Sequence, residues 1–88
     1  MKVIVTKILI DALKPREMPI VELSKAICSI NGVDQVDIVV TEVDQRTETT
    51  KITITGNNIP YSQVAKVLEQ HTIAVRGIDA VTTAKAKS

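Results

Sequence analysis

Phe and Trp are absent from this chain, and Tyr61 is its single aromatic residue. A core without large rings must be filled by Val, Ile, Leu and Ala, and with hydrophobic residues at 44% of the composition there is enough aliphatic material for one. Cysteine is nearly absent too. Cys28 stands alone, so it has no partner for an internal disulfide and no second thiolate at metal-ligand spacing; it reads as a small half-buried residue of a protein in a reducing, cytoplasmic compartment. Charge of one sign is missing: 11 Lys and Arg against 10 Asp and Glu leave a net charge of +1, without the field that nucleic-acid or anionic-membrane binding uses. The longest apolar run, Val3 to Ile10, is interrupted by Lys7 and falls far short of the ~20 residues of a membrane span, and no cleavage site follows it. Glycine is scarce, at 3 residues, and forms no phosphate-cradling loop. The expectation is one domain over residues 1–88, in the cytoplasm, with neither nucleic acid nor membrane as partner.

What the chain does have is alternation. Val36, Ile38 and Val40 alternate with Asp37, Val39 and Thr41, and Ile52 and Ile54 with Lys51, Thr53 and Thr55, the period-two pattern of paired strands. Joined as a hairpin through Gln45, Arg46 and Thr47, the two arms bury one aliphatic face if Val40 faces Ile52 and Ile38 faces Ile54. That register sets Glu42 opposite Thr50 and Asp44 opposite Glu48. Three carboxylates then gather at the tip, where like charges repel and a cation would relieve them.

Six elements follow in order. Val3 to Leu13 is β-branched and apolar on both faces, as in a central strand, and Lys14 and Pro15 end it. Pro19 opens a helix in which Ile20, Leu23, Ile27 and Ile30 recur, with Asn31 and Gly32 as its stop. After the hairpin, Pro60 opens a second helix with Tyr61, Val64, Ala65 and Leu68 on one face, Asn58 as its N-cap and an end near His71. Ile73 to Val75 and Ile78 to Thr83 form a last strand bulged at Gly77, and residues 82–88 read as a loosely ordered tail. Strand, helix, strand, strand, helix, strand in this length predicts an α+β ferredoxin-like βαββαβ sandwich: an antiparallel sheet in order 4-1-3-2 with both helices on one face. Asp11 then lies at the same end of the sheet as the acidic tip, beside the first helix's N-terminus, where a carboxylate can accept free N–H groups. The face without helices is expected to expose Val5, Leu9, Val39, Val43 and Val81, which implies a partner.

Asp-Ala-Leu-Lys-Pro at 11–15, Ile20-Val21-Glu22-Leu23, Gly32-Val33-Asp34, Glu42-Val43-Asp44, Lys51-Ile52-Thr53-Ile54 and Ile78-Asp79 together resemble the archaeal family known as domain of unknown function 211. The resemblance spans nearly the whole chain. It implies a ferredoxin-like fold, a ring-like homo-oligomer, no assigned activity and binding of calcium. Where the family tends to have His-Ser-Ile-Asp-Glu, this chain has Arg76-Gly77-Ile78-Asp79-Ala80.

Glu42, Asp44 and Glu48, with Asp11 as a fourth, are the oxygen donors that Ca²⁺ or Mg²⁺ takes, although no EF-hand spacing is present; the competing reading is a solvated acidic tip balanced by Arg46 and Lys51. Catalytic residues are not expected, because no nucleophile stands with a base and His71 suits a helix C-cap better than acid-base work. An RNA-recognition module would carry aromatics on its central strands, and a metal carrier of this fold a Cys-x-x-Cys loop where Lys14, Pro15 and Arg16 stand. The sequence therefore favours an oligomeric interaction or regulatory module that binds a divalent cation. The alternative is a small enzyme or ligand-binding protein whose site, drawing on Tyr61, His71 and Arg76, forms between subunits.

Overall fold

The computed structural model describes residues 2–86. Its elements are β1 (Lys2–Pro15), α1 (Ile20–Cys28), β2 (Val33–Val43), β3 (Thr47–Gly56), α2 (Tyr61–Gln70) and β4 (Ala74–Ala86). The four strands make one sheet in the order β2-β3-β1-β4, every neighbouring pair antiparallel, which is the ferredoxin-like α+β arrangement that the element order predicts. Alternation decides which side of each strand is buried. Ile8, Ile10 and Ala12 of β1 and Ile52 and Ile54 of β3 turn toward Leu23 and Ile27 of α1 and Val64 and Leu68 of α2, closing an all-aliphatic core.

The local stops differ from their sequence readings. The first helix ends at Cys28, and Ile30 instead sits in the following turn, its N–H bonded to the Ile27 carbonyl. Gly32 takes a positive φ of 100°, which glycine allows at no steric cost, and turns the chain into β2. Asn58 does not cap α2. It occupies the left-handed region itself, φ 62°, and Pro60 precedes the helix without any side-chain capping bond. Cys28 is exposed rather than half-buried, its thiol directed at the Asp34 carbonyl. The last strand runs past Thr83 to Ala86, because β1 extends back to Lys2 and supplies partners that far. Residues 82–86 are thus paired strand and not tail; residues 87 and 88 lie outside the described part.

Register is where the hairpin departs most. Ile38 faces Ile52, Val36 faces Ile54 and Val40 faces Thr50, a slip of two residues from the expected pairing. A two-residue slip keeps every side chain on its face, so the core is unchanged while every cross-strand partner moves by roughly 7 Å. Irregularities in β1 and β4 also re-aim side chains: Asp79 and Arg76 have no partner on β1, and Thr6 has none on β4. Val81 consequently pairs with the core residue Ile8, and both line a depression with Val5 and Tyr61 on the helix-bearing side. Val43 pairs with Glu48, whose carboxylate also reaches into that side. The helix-free face thus keeps only Leu9 and Val39 of the five aliphatic residues expected there. They stand beside Thr53, Lys51 and Asp11 rather than in a continuous apolar patch.

Candidate functional site

The four carboxylates expected to hold a cation are dispersed. Glu48 lies on the helix side, where its Oε1 is 2.7 Å from the Nζ of Lys14. Lys14, which ends the first strand in the sequence reading, is buried to 1% exposure, and its ammonium also donates to the carbonyls of Pro15, at 2.8 Å, and Met18. All three ammonium protons are thereby matched to an oxygen. Glu42 is opposite Thr49, past an irregularity of the β2–β3 ladder, and Asp44 begins the turn with its N–H on the Thr47 carbonyl at 2.8 Å. Asp11 points to the helix-free face and so does not cap α1. Among the described residues no three His, Cys, Asp or Glu side chains form a group able to hold a metal ion. The gathering failed for two physical reasons: the register slip removed the Asp44–Glu48 pairing, and a buried cation already claims Glu48.

A different ionic group forms on the helix-free face. Lys51 donates to Asp79 Oδ2 at 2.7 Å and lies 3.7 Å from Asp11 Oδ1. The bulge at Asp79 brings its carboxylate to this side, and cross-strand pairing puts Asp11 directly opposite Lys51. One ammonium thus serves two carboxylates, and Asp11 Oδ1 is buried without a hydrogen-bond donor. The hydrogen bond to Asp79, ahead of the Coulombic pull of Asp11 and Asp79, raises the Lys51 pKa above its ordinary 10.5, and partial desolvation opposes this. A raised lysine pKa means that the folded state holds the proton more tightly than the unfolded chain. The associated stabilisation is complete below the ordinary lysine range and is lost as pH rises through the raised value. In NMR titration, Asp79→Asn is expected to move the Lys51 midpoint down toward the ordinary value; an unchanged midpoint would show that Asp79 does not set it.

The polar residues proposed for a shared enzyme site do not converge within one chain. Tyr61 opens α2 and His71 follows its last residue, so roughly 15 Å of helix separates them. His71 caps α2: its N–H reaches the Val67 and Leu68 carbonyls and its Nδ1 lies 2.8 Å from the Val67 oxygen. Arg76 is an exposed bulge residue of β4.

The feature that the sequence reading missed is how little of β4 is covered. Not one of its 13 residues is buried, although one edge of the strand pairs with β1 along its length but for the bulged Arg76 and Asp79. Val75, Ile78 and Val81, together with Tyr61 of α2, are exposed large apolar side chains on this flank. Between them lies a depression of about 190 Å³, lined by Val5, Ile8, Tyr61, Ile78 and Val81. A second depression, about 180 Å³, lies at the opposite flank between α1 and β2, lined by Ile20, Val21, Ser24, Val36, Asp37 and Ile38. The sequence reading placed one bulge at Gly77, whereas Gly77 pairs with Asp11 and the irregularities fall at Arg76 and Asp79, with Val81 on the helix side.

Comparison with known proteins identifies the family. Residues 6–86 match the family model described as DUF211, uncharacterised ArCR. The chain belongs to the DUF211 family. An uncharacterised protein of the archaeon Methanocaldococcus jannaschii is 33% identical over 81 residues, which cover 92% of this chain and 84% of that protein. In this DUF211 chain the matched segment takes in the Lys51 group and the lining of both depressions except Val5. No helix among the described residues is long and apolar enough to cross a membrane.

Proposed function

We propose that this DUF211 protein is an interaction module that assembles with further copies of itself and acts by binding rather than by turnover. The observation that carries the reading is the uncovered strand β4, whose exposed Ile78 (45%) and Val81 (59%) stand beside Tyr61 (38%) around an apolar depression. A contiguous apolar patch on a small domain is a surface that self-association removes from water. A divalent cation is the second element of the proposal, favoured by Asp11 Oδ1, which is buried without a hydrogen bond, 3.7 Å from the Lys51 ammonium. Ca²⁺ would act there only by displacing that ammonium from between Asp11 and Asp79.

Light scattering after size exclusion, at tens of micromolar protein in EDTA and again in millimolar Ca²⁺, tests both elements. The expected result is a multiple of the 9.6 kDa chain mass, reduced to the single mass by Val81→Lys. A monodisperse monomer in both buffers overturns the assembly reading. Identical mass and melting midpoint with and without Ca²⁺ remove the cation.

A further inference from the structure

We infer that neighbouring copies join edge to edge, β4 of one copy pairing with β2 of the next, so that the sheet continues from chain to chain. This rests on the self-association reading above and names its two surfaces. β2 and β4 are the two outer strands of the sheet, and because β1 and β3 alternate between them they run in opposite directions. Placed side by side with all helices on one face, they form an antiparallel pair like every other pair in the sheet.

Charge selects this pairing over the two symmetric ones. β2 carries Asp34, Asp37 and Glu42 and no cation. β4 carries Arg76 and Lys85, and its acid, Asp79, is already bonded to Lys51. β2 against β2 would oppose acid to acid and β4 against β4 base to base, whereas β2 against β4 matches opposite signs. One register satisfies both the charges and the faces. With Asp34 opposite Lys85 of the neighbour, Val36 meets Thr83 and Ile38 meets Val81. Val36 and Ile38 lie on the helix side through their pairing with Ile54 and Ile52, and Val81 lies there through Ile8. Continuing along the strands brings Glu42 to within one residue of Arg76, a mismatch that the bulges of the two strands can absorb. The depression beside Val81 then adjoins the one beside Ile38 across the new boundary. Such a heterologous contact uses different surfaces on the two partners, so each copy offers one of each.

Cysteine cross-linking decides it. In a Cys28→Ser background, two double variants are made, Ile38→Cys with Val81→Cys and Val39→Cys with Ala80→Cys. Successive cross-strand pairs alternate in geometry, so one of the two suits a disulfide. Within one chain the two positions sit at opposite edges, about 14 Å apart across four strands, too far to bond internally. Mild oxidation is expected to give a ladder of covalent multimers on a non-reducing gel. Charge reversal adds a second arm: Asp34→Lys should weaken association roughly fivefold or more, and Lys85→Asp in the same chain should restore it. An oligomer by light scattering that yields no ladder and ignores both charge changes overturns the edge-to-edge arrangement while leaving self-association standing. A monomer by light scattering overturns both.

Discussion

Gly56→Ala is expected to destabilise the fold by about 3 kcal/mol, lowering the melting temperature by roughly 15 °C, whereas Gly77→Ala should stay within about 0.5 kcal/mol of the parent. A Cβ on Gly56 would lie 2.0 Å from the Gly32 carbonyl oxygen and 3.0 Å from both the Gly32 carbonyl carbon and the Val33 Cα. All three are backbone atoms, so no side-chain rotation relieves the clash. The same Gly32 oxygen accepts the Asn57 N–H at 2.9 Å, so moving it away also breaks that bond. The turn after α1 and the end of β3 therefore close on each other because neither glycine carries a side chain. Around Gly77 a Cβ would meet nothing within 4 Å, and its φ is not positive. Thermal melts of the two variants give the comparison, and equal midpoints would show that the Gly32–Gly56 contact opens without cost.

The second large effect is expected at Lys14. Removing its carboxylate by Glu48→Ala leaves a buried ammonium with only the Pro15 and Met18 carbonyls, at a cost of ~3 kcal/mol. Lys14→Met leaves those carbonyls and Glu48, itself only 19% exposed, without their donor, and should cost a similar amount. The double variant Lys14→Met, Glu48→Leu removes both charges together and replaces them with apolar side chains, so it should be less destabilised than the sum of the singles. Urea denaturation of the four proteins supplies the cycle. Additive losses, or singles within 0.5 kcal/mol of the parent, would mean that the pair does not hold β1, β3 and the loop before α1 together.

The same residues show where sequence reasoning holds and where it stops. The β-branched run from Val3 to Leu13, period-two alternation in Ile52 and Ile54, and helical recurrence in Leu23, Ile27, Val64 and Leu68 identified these elements, and in the hairpin and helices their buried faces. Those patterns depend on near neighbours in the chain, and with an all-aliphatic composition nothing else could fill the core. The alternation even extended to Lys14 and Glu48, which share parity with the core. Their charge suggested a turn and a tip, although a lysine given three oxygens can be buried. Element order was enough for the topology, because few chain paths connect such short units without crossing.

Register, bulges and charge partners were decided only by the folded sheet. A two-residue slip leaves the hydrophobic pattern of the hairpin intact, so the sequence did not distinguish Ile38 facing Ile54 from Ile38 facing Ile52. The hydrogen bonds from the Asp44 N–H to the Thr47 carbonyl and from the Arg16 N–H to the Arg46 carbonyl go with the observed register; the first depends on exact loop closure and the second joins segments distant in the chain. The bulges at Arg76 and Asp79 likewise arise from fitting β4 along β1, and they turn Val81 toward α2 and Asp79 toward Lys51. Local sequence fixes which side chains are apolar and at what period. Which ones remain uncovered, and which charges meet, depends on cross-strand distances that exist only once all four strands are in place.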